Sequence, residues 1–208
     1  MVLDVAGSSP VVRPSSSSIA AVVLAGGRAT RMGGGDKPLR LLAGRPMLDW
    51  VLAALRPAHD RIALSANGDP ARFAVWDLPV LPDDPAFTQE GPLAGVLAGL
   101  RWAGAIGAEA LLVVPGDAPF LPGDLALRLA PGPAYAVMAG QAHPLPALLP
   151  VGVAGPLALW LGAGRPRRVR AFLNEIGARG AEFGASSPFF ANVNTPADLA
   201  AAEAGLTR

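Results

Sequence analysis

The stretch Leu24-Ala-Gly-Gly-Arg-Ala-Thr-Arg-Met-Gly-Gly-Gly-Asp-Lys37 packs five glycines, two arginines and a lysine into one loop. Glycine lets a backbone turn sharply and come close to a ligand. The amides it frees can point at an anion, and Arg28, Arg31 and Lys37 add positive charge. This is chemistry for holding phosphates. A plain connector would order these glycines at an entropic cost while packing nothing. A Walker loop would end in Gly-Lys-Ser/Thr, but here Asp36 precedes Lys37 and Pro38 follows it. A dinucleotide fingerprint would open a helix directly, whereas the next helical pattern begins only near Pro46.

A second reactive group is Asp117, at the end of the apolar run 110–114. A carboxylate there is costly to desolvate unless it meets a cation. Magnesium, which takes one or two carboxylates with phosphate oxygens and water, suits it. The alternative is a turn or cap for the helix after Pro122, but Asp124 stands closer to that helix. Asn67-Gly68 reads as a turn, and Asp83 or Asp84 could each close the next one. Asn192 and Asn194 flank Val193, so an extended backbone would project both amides from one face. They also precede Thr195-Pro196, a helix-capping pair. His143 sits between apolar runs, where a packed role and a binding role are equally open. Arg165, Arg167, Arg168 and Arg170 form the main basic cluster, ordinarily a solvated helix face, alternatively a phosphate site.

The elements that must position these groups alternate. Apolar runs at 19–24, 61–66, 79–81, 110–114, 134–139 and 146–149 read as strands. Met47, Leu48, Val51, Leu52 and Leu55 recur at helical spacing after Pro46, as do Leu93, Val96, Leu97 and Leu100 within 92–102. Further helices are expected at 122–129, 153–161, 167–176 and 196–204. Such alternation predicts a three-layer α/β/α Rossmann-like domain with a mostly parallel sheet. Ligands of such sheets bind at the carboxyl ends of the strands, where both the glycine-rich loop and Asp117 fall.

The loop matches the nucleotidyltransferase signature Leu-Ala-Gly-Gly-x-x-x-Arg-Met-Gly, a gap, then Asp-Lys. More narrowly, the chain resembles the bacterial molybdenum cofactor guanylyltransferases. Four more segments carry that likeness in order: Glu90-Gly-Pro-Leu-Ala-Gly95, Val114-Pro-Gly-Asp-Ala-Pro-Phe-Leu-Pro122, His143-Pro144 and Asn192-Val-Asn-Thr-Pro-Ala-Asp-Leu199. The resemblance spans residues 19–204. It implies a nucleotide site made of Leu24, Ala25, Gly26, Gly27, Lys37, Asn67, Asp83, Gly91, Gly95 and Asp117. It further implies Lys37, Arg31 and Asp117 as catalytic groups, Asp117 as the Mg²⁺ ligand, and Asn192 and Asn194 on the pterin side. Gly26-Gly27 and Gly91–Gly95 resemble the guanylyl-transferring members, the cytidylyl-transferring relatives usually having Leu-Ala-Ala-Gly.

The implied reaction is transfer of GMP from GTP to Mo-molybdopterin, giving the guanine dinucleotide cofactor and pyrophosphate. A molybdopterin cytidylyltransferase, a sugar-phosphate nucleotidyltransferase and a non-catalytic GTP-binding regulatory protein are the alternatives. Molybdoenzyme apoproteins and other cofactor-biosynthesis proteins are candidate partners of an expected monomer. A net charge of +1 argues against a protein that coats nucleic acid or an anionic membrane. The absence of cysteine excludes disulfides and thiolate sites. Residues 129–164 carry no formal charge, but prolines break them far short of the roughly 20 apolar residues that span a bilayer. Residues 1–18 lack the basic-then-apolar order of a secretory signal, so a disordered extension of a cytoplasmic protein is expected, with the nucleotidyltransferase domain at 19–208.

Overall fold

The computed structural model describes residues 18–26, 36–87, 91–184 and 189–206. Gly27, Arg28, Arg31, Glu90 and the expected N-terminal extension, apart from Ser18, lie outside them.

In chain order the elements are β1 (Ile19–Leu24), the short β2 (Leu41–Leu42) and β3 (Arg45–Pro46), α1 (Met47–Leu55), β4 (Ile62–Ser65) and β5 (Val80–Leu81). Then follow α2 (Pro92–Ala105), β6 (Ala110–Pro115), α3 (Leu125–Leu129), β7 (Ala134–Met138) and β8 (Gln141–Pro150). The chain closes with α4 (Ala154–Gly162), α5 (Val169–Glu175), β9 (Arg179–Phe183) and α6 (Pro196–Leu206). Seven strands form one sheet in the order β5-β4-β1-β6-β8-β7-β9. Its pairings are parallel except those of β8, which runs antiparallel to both β6 and β7.

The central strands are apolar on both faces because each face is covered by helices. Along β1, Ile19, Ala21 and Val23 join Leu48, Val51, Leu52 and Leu55 of α1 in one core. The alternate residues Ala20 and Val22 pack with Leu93, Val96, Leu97 and Leu100 of α2, and with α4 and α5, in a second core. The helical stripes expected from spacing are therefore the two core-facing surfaces.

Three expectations change. The helix foreseen at 122–129 is only Leu125–Leu129, with Asp124 at its N-cap. The strand foreseen at 146–149 is ten residues long, running from Gln141 to Pro150 through Pro144 and Pro146. Proline donates no N–H, yet Pro144 lies opposite the register shift where β7 and β8 slip past one another, so a ladder bond is not required there. Strand β9 was not foreseen, because Arg179-Gly-Ala-Glu-Phe183 is exposed at all but two positions. Among the described residues, no helix is long and apolar enough to cross a membrane.

Candidate nucleotide site

At the carboxyl end of the parallel strands, β1 and β6 are locked together by the Gly116 amide, which donates to the Leu24 carbonyl at 3.0 Å. Over this junction lies the turn Lys37–Leu39, with Pro38 buried. A Cβ on Gly116 would stand 2.7 Å from Pro38 Cγ and 2.9 Å from the Leu24 oxygen. Only glycine allows this approach, and its result is that Lys37 faces Asp117. Lys37 Nζ donates to Asn194 Oδ1 at 2.6 Å and lies 3.3 Å from Asp117 Oδ2. Both partners in the ion pair are mostly buried, at 22% and 18% side-chain exposure.

The Asn194 segment is fixed from two directions. The Val193 amide donates to the Asp117 carbonyl at 2.8 Å, and the Val193 side chain is buried beside Leu42 and Met47. Asp198 Oδ2 accepts from the Asn194 and Thr195 amides at 2.9 and 2.8 Å, while the Asp198 amide donates to Thr195 Oγ1 at 3.1 Å. This is a capping box with aspartate as the acidic member. The Asn194 amide, then the Thr195 hydroxyl, hold the Asp198 carboxyl below the usual carboxylate range, with a smaller contribution from Lys37.

A second polar pair forms across β4 and β5. Asn67 Nδ2 donates to Asp83 Oδ2 at 2.7 Å, and the Asp83 amide donates back to Asn67 Oδ1 at 2.9 Å. The neighbouring Asp84 instead pairs with Arg101 at 2.5 Å, so of the two aspartates it is Asp83 that pairs with Asn67 and lines the site's cavity.

Both polar groups open onto one cavity of about 930 Å³, whose wall includes Gly26, Lys37, Asn67, Asp83, Asp117 and Asn192. Leu24, Gly91 and Gly95 also line it, while Ala25 is buried beneath, its amide and that of Gly26 both donating to the Ser65 carbonyl at 2.8 and 2.9 Å. Gly95 has a packing duty as well: a Cβ there would meet Ser65 Oγ at 2.4 Å. Ser65 and Arg72 are among the cavity residues that the sequence pattern does not assign to the site. Ser65 reads simply as the end of a strand, and Arg72 lies in the 3-10 stretch Pro70–Trp76, which has no binding pattern.

A second cavity of about 510 Å³ adjoins the first and shares Asn192, Pro92, Pro115 and Leu145 with it. His143, Arg167, Arg168 and Arg170 face it. The basic cluster thus divides, because Arg165 stacks over Trp160 at 4.3 Å and pairs with Glu175 at 3.2 Å. Burial lowers the His143 imidazole below its ordinary value, and its Nε2 is buried without a partner among the described residues.

No cluster of three or more His, Cys, Asp or Glu side chains able to hold a metal occurs among the described residues. Asp117 is a single carboxylate flanked by amides. Such a donor set fits a magnesium ion that takes its remaining ligands from phosphates and water.

The model of the MobA-like NTP transferase domain matches residues 21–178. The chain belongs to this family. Among its MobA-like relatives, the molybdenum cofactor guanylyltransferase of Acidiphilium cryptum is 51% identical over 192 residues, covering 92% of this chain and 97% of that protein. One from Cereibacter sphaeroides is 50% identical, covering 90% and 96%. The fold is shared with the molybdopterin-guanine dinucleotide biosynthesis protein A of Archaeoglobus fulgidus, with a TM-score of 0.69, 21% identity, and 90% and 98% of the two chains covered. A mycobacterial Rv0371c homologue from strain JC1 has a TM-score of 0.71 at 22% identity, covering 94% and 99%. The span matched by the MobA-like model holds Lys37, Asn67, Asp83 and Asp117, and ends before Asn192 and Asn194.

Proposed function

We propose that this protein transfers GMP from GTP to the terminal phosphate of Mo-molybdopterin, forming the guanine dinucleotide cofactor and releasing pyrophosphate. The observation that carries the proposal is the single cavity joining Lys37, itself held by Asn194, and Asp117 at one part to Asn67 and Asp83 at another. Its volume suits a nucleoside triphosphate. The names of relatives about half identical along nearly the whole chain point the same way.

In this reading Asp83 and Asn67 take the nucleoside. An aspartate accepts from the ring and exocyclic N–H groups of guanine. Because Asn67 makes both its bonds to Asp83, its main task is to orient that carboxylate. Leu24 and Gly26 line the phosphate end over the buried Ala25, Gly27 continues the same loop outside the described residues, and Gly91 and Gly95 begin the helix beside them. Lys37 and Arg31 offset charge on the triphosphate and on departing pyrophosphate. A magnesium ion held by Asp117 would neutralise phosphate charge at the α-phosphorus. Asn192, on the wall of both cavities, and Asn194 stand on the pterin side. The arginines of the second cavity suit an anionic acceptor.

A phosphate oxygen of the acceptor attacks the α-phosphorus of GTP in line, and the bond to the β-phosphate oxygen breaks with pyrophosphate leaving. The attacking oxygen is already ionised at neutral pH, so the residues position and neutralise rather than remove a proton. Thermal shift in magnesium buffer with GTP, CTP, UTP and ATP tests the nucleotide half of the proposal. The largest rise in Tm is expected with GTP. A larger rise with CTP would move the protein to the cytidylyl-transferring siblings.

A further inference from the structure

We infer that Arg72 is a positioning residue that sets the distance between the phosphate-binding and nucleoside-binding parts of the cavity. This rests on the reading of the cavity as a GTP site.

Arg72 makes three hydrogen bonds at the edge of the cavity, one to Asp36 and two to the turn that begins at Asn67. Its Nε donates to Asp36 Oδ2 at 2.5 Å. One terminal nitrogen donates to the Asn67 carbonyl at 2.6 Å, and the other to the Asp69 carbonyl. Asp36 immediately precedes Lys37, the cation beside Asp117, and Asn67 orients Asp83. One guanidinium therefore ties the end of the glycine-rich loop to the turn that carries the nucleoside pair. These parts are otherwise 36 residues apart along the chain, measured from Asp36 to Arg72.

The fork is itself held in place. It lies 4.6 Å over the ring of Phe73, a residue 1% exposed in the core, and the Asp36–Arg72 pair is about three-quarters buried, at 23% and 25% side-chain exposure. A planar guanidinium presents donors in fixed directions, which a lysine ammonium does not. Holding the turn Pro70–Trp76 together would require only the Asp69 carbonyl, whose neighbouring side chain already caps that turn by accepting from the Ala71 amide at 2.9 Å. The bond to Asp36 adds nothing to that turn. Its effect is on where Lys37 stands relative to Asp83. Asp36 also neutralises Arg72, which keeps the guanidinium from drawing the triphosphate out of line with Lys37.

The test uses the full chain, with pyrophosphate release measured at varied GTP and varied molybdopterin, alongside melting of the ligand-free protein. Arg72→Gln and Asp36→Asn should each raise KM for GTP about tenfold or more, the scale of one lost charge-assisted bond. KM for molybdopterin should stay within about twofold, and Tm within about 2 °C, because the turn keeps its Asp69 cap. Arg72→Lys should recover only part of the loss. If Arg72→Gln folds poorly, Asp36→Asn carries the test alone, since it leaves the turn and Phe73 intact. An unchanged KM for GTP in a folded variant, or equal rises in both KM values, overturns the inference. Absence of pyrophosphate release by the unmodified protein would overturn the GTP reading instead, so the two failures are distinguishable.

Discussion

Lys37 Nζ donates to Asn194 Oδ1 at 2.6 Å across 157 positions of sequence, a shorter contact than its 3.3 Å approach to Asp117. The amide draws the ammonium away from the carboxylate. On the proposed reading, it thereby leaves Asp117 available to a divalent cation, although a lysine stands beside it. Asn194→Ala should let Lys37 collapse onto Asp117, lowering kcat about 10- to 100-fold, and raised magnesium should restore part of the loss. Titrating magnesium against pyrophosphate release checks this, and magnesium-insensitive turnover equal to that of the unmodified protein would count against it.

Asp117→Ala should abolish turnover, by at least about a thousandfold, while leaving the fold intact. The carboxylate contributes one ion pair at a cavity wall and no core packing. Circular dichroism and a pyrophosphate assay on the same preparation separate the two effects. Near-normal release would remove Asp117 from the metal role.

Asp83→Asn should reduce the advantage of GTP over ATP in thermal shift, since an amide cannot accept from guanine N–H groups at both of its atoms. Asn67→Ala should do the same through Asp83, because it deletes both reciprocal bonds. If either variant kept the full preference for GTP, the base would have to be read elsewhere.

Much of this was readable beforehand, for reasons that differ by residue. The strand Ile19–Leu24 and the stripes of α1 and α2 were legible because burial on one or both faces leaves a periodic apolar trace. The place of Asp117 on the cavity wall was legible because a carboxylate just after a buried strand is costly to desolvate. The strand signal of β8 starts only at Pro146, because Pro144 and its neighbours interrupt the usual pattern, and β9 carries little signal because three of its five residues are exposed. Arg72 left no trace at all. Its partners are two backbone carbonyls and Asp36, and no local pattern shows that the turn folds back onto the loop.

Gly95 offers a way to separate packing from binding. Gly95→Ala places a Cβ 2.4 Å from Ser65 Oγ and 3.1 Å from Leu24 Cδ2, so urea denaturation should show a loss of about 1–3 kcal/mol. Adding Ser65→Ala should return most of it, because the nearest offending atom is gone. A stable Gly95→Ala protein that no longer gains Tm from GTP would assign the glycine to nucleotide contact alone.

His59 predicts an acid-sensitive fold. It is 5% exposed, its Nδ1 donates to the Ile19 carbonyl at 3.4 Å, and burial lowers its imidazole below the ordinary histidine value despite smaller raising effects from Ile19 and Asp60. The unfolded chain therefore binds the proton more readily, so stability is full above about pH 6.5 and falls as pH drops below it. His143 acts with the same sign. Melting between pH 7.5 and 5.5 should show Tm declining, and His59→Gln should flatten part of the slope. A slope unchanged by His59→Gln would place the sensitivity elsewhere.

Guanylyl transfer to molybdopterin can be measured in a coupled pyrophosphate assay with molybdopterin, magnesium and each of GTP, CTP, UTP and ATP. Release with GTP, exceeding that with the other three by at least about tenfold, is the predicted result. Release led by CTP, or none with any nucleotide while molybdopterin is present, would contradict it.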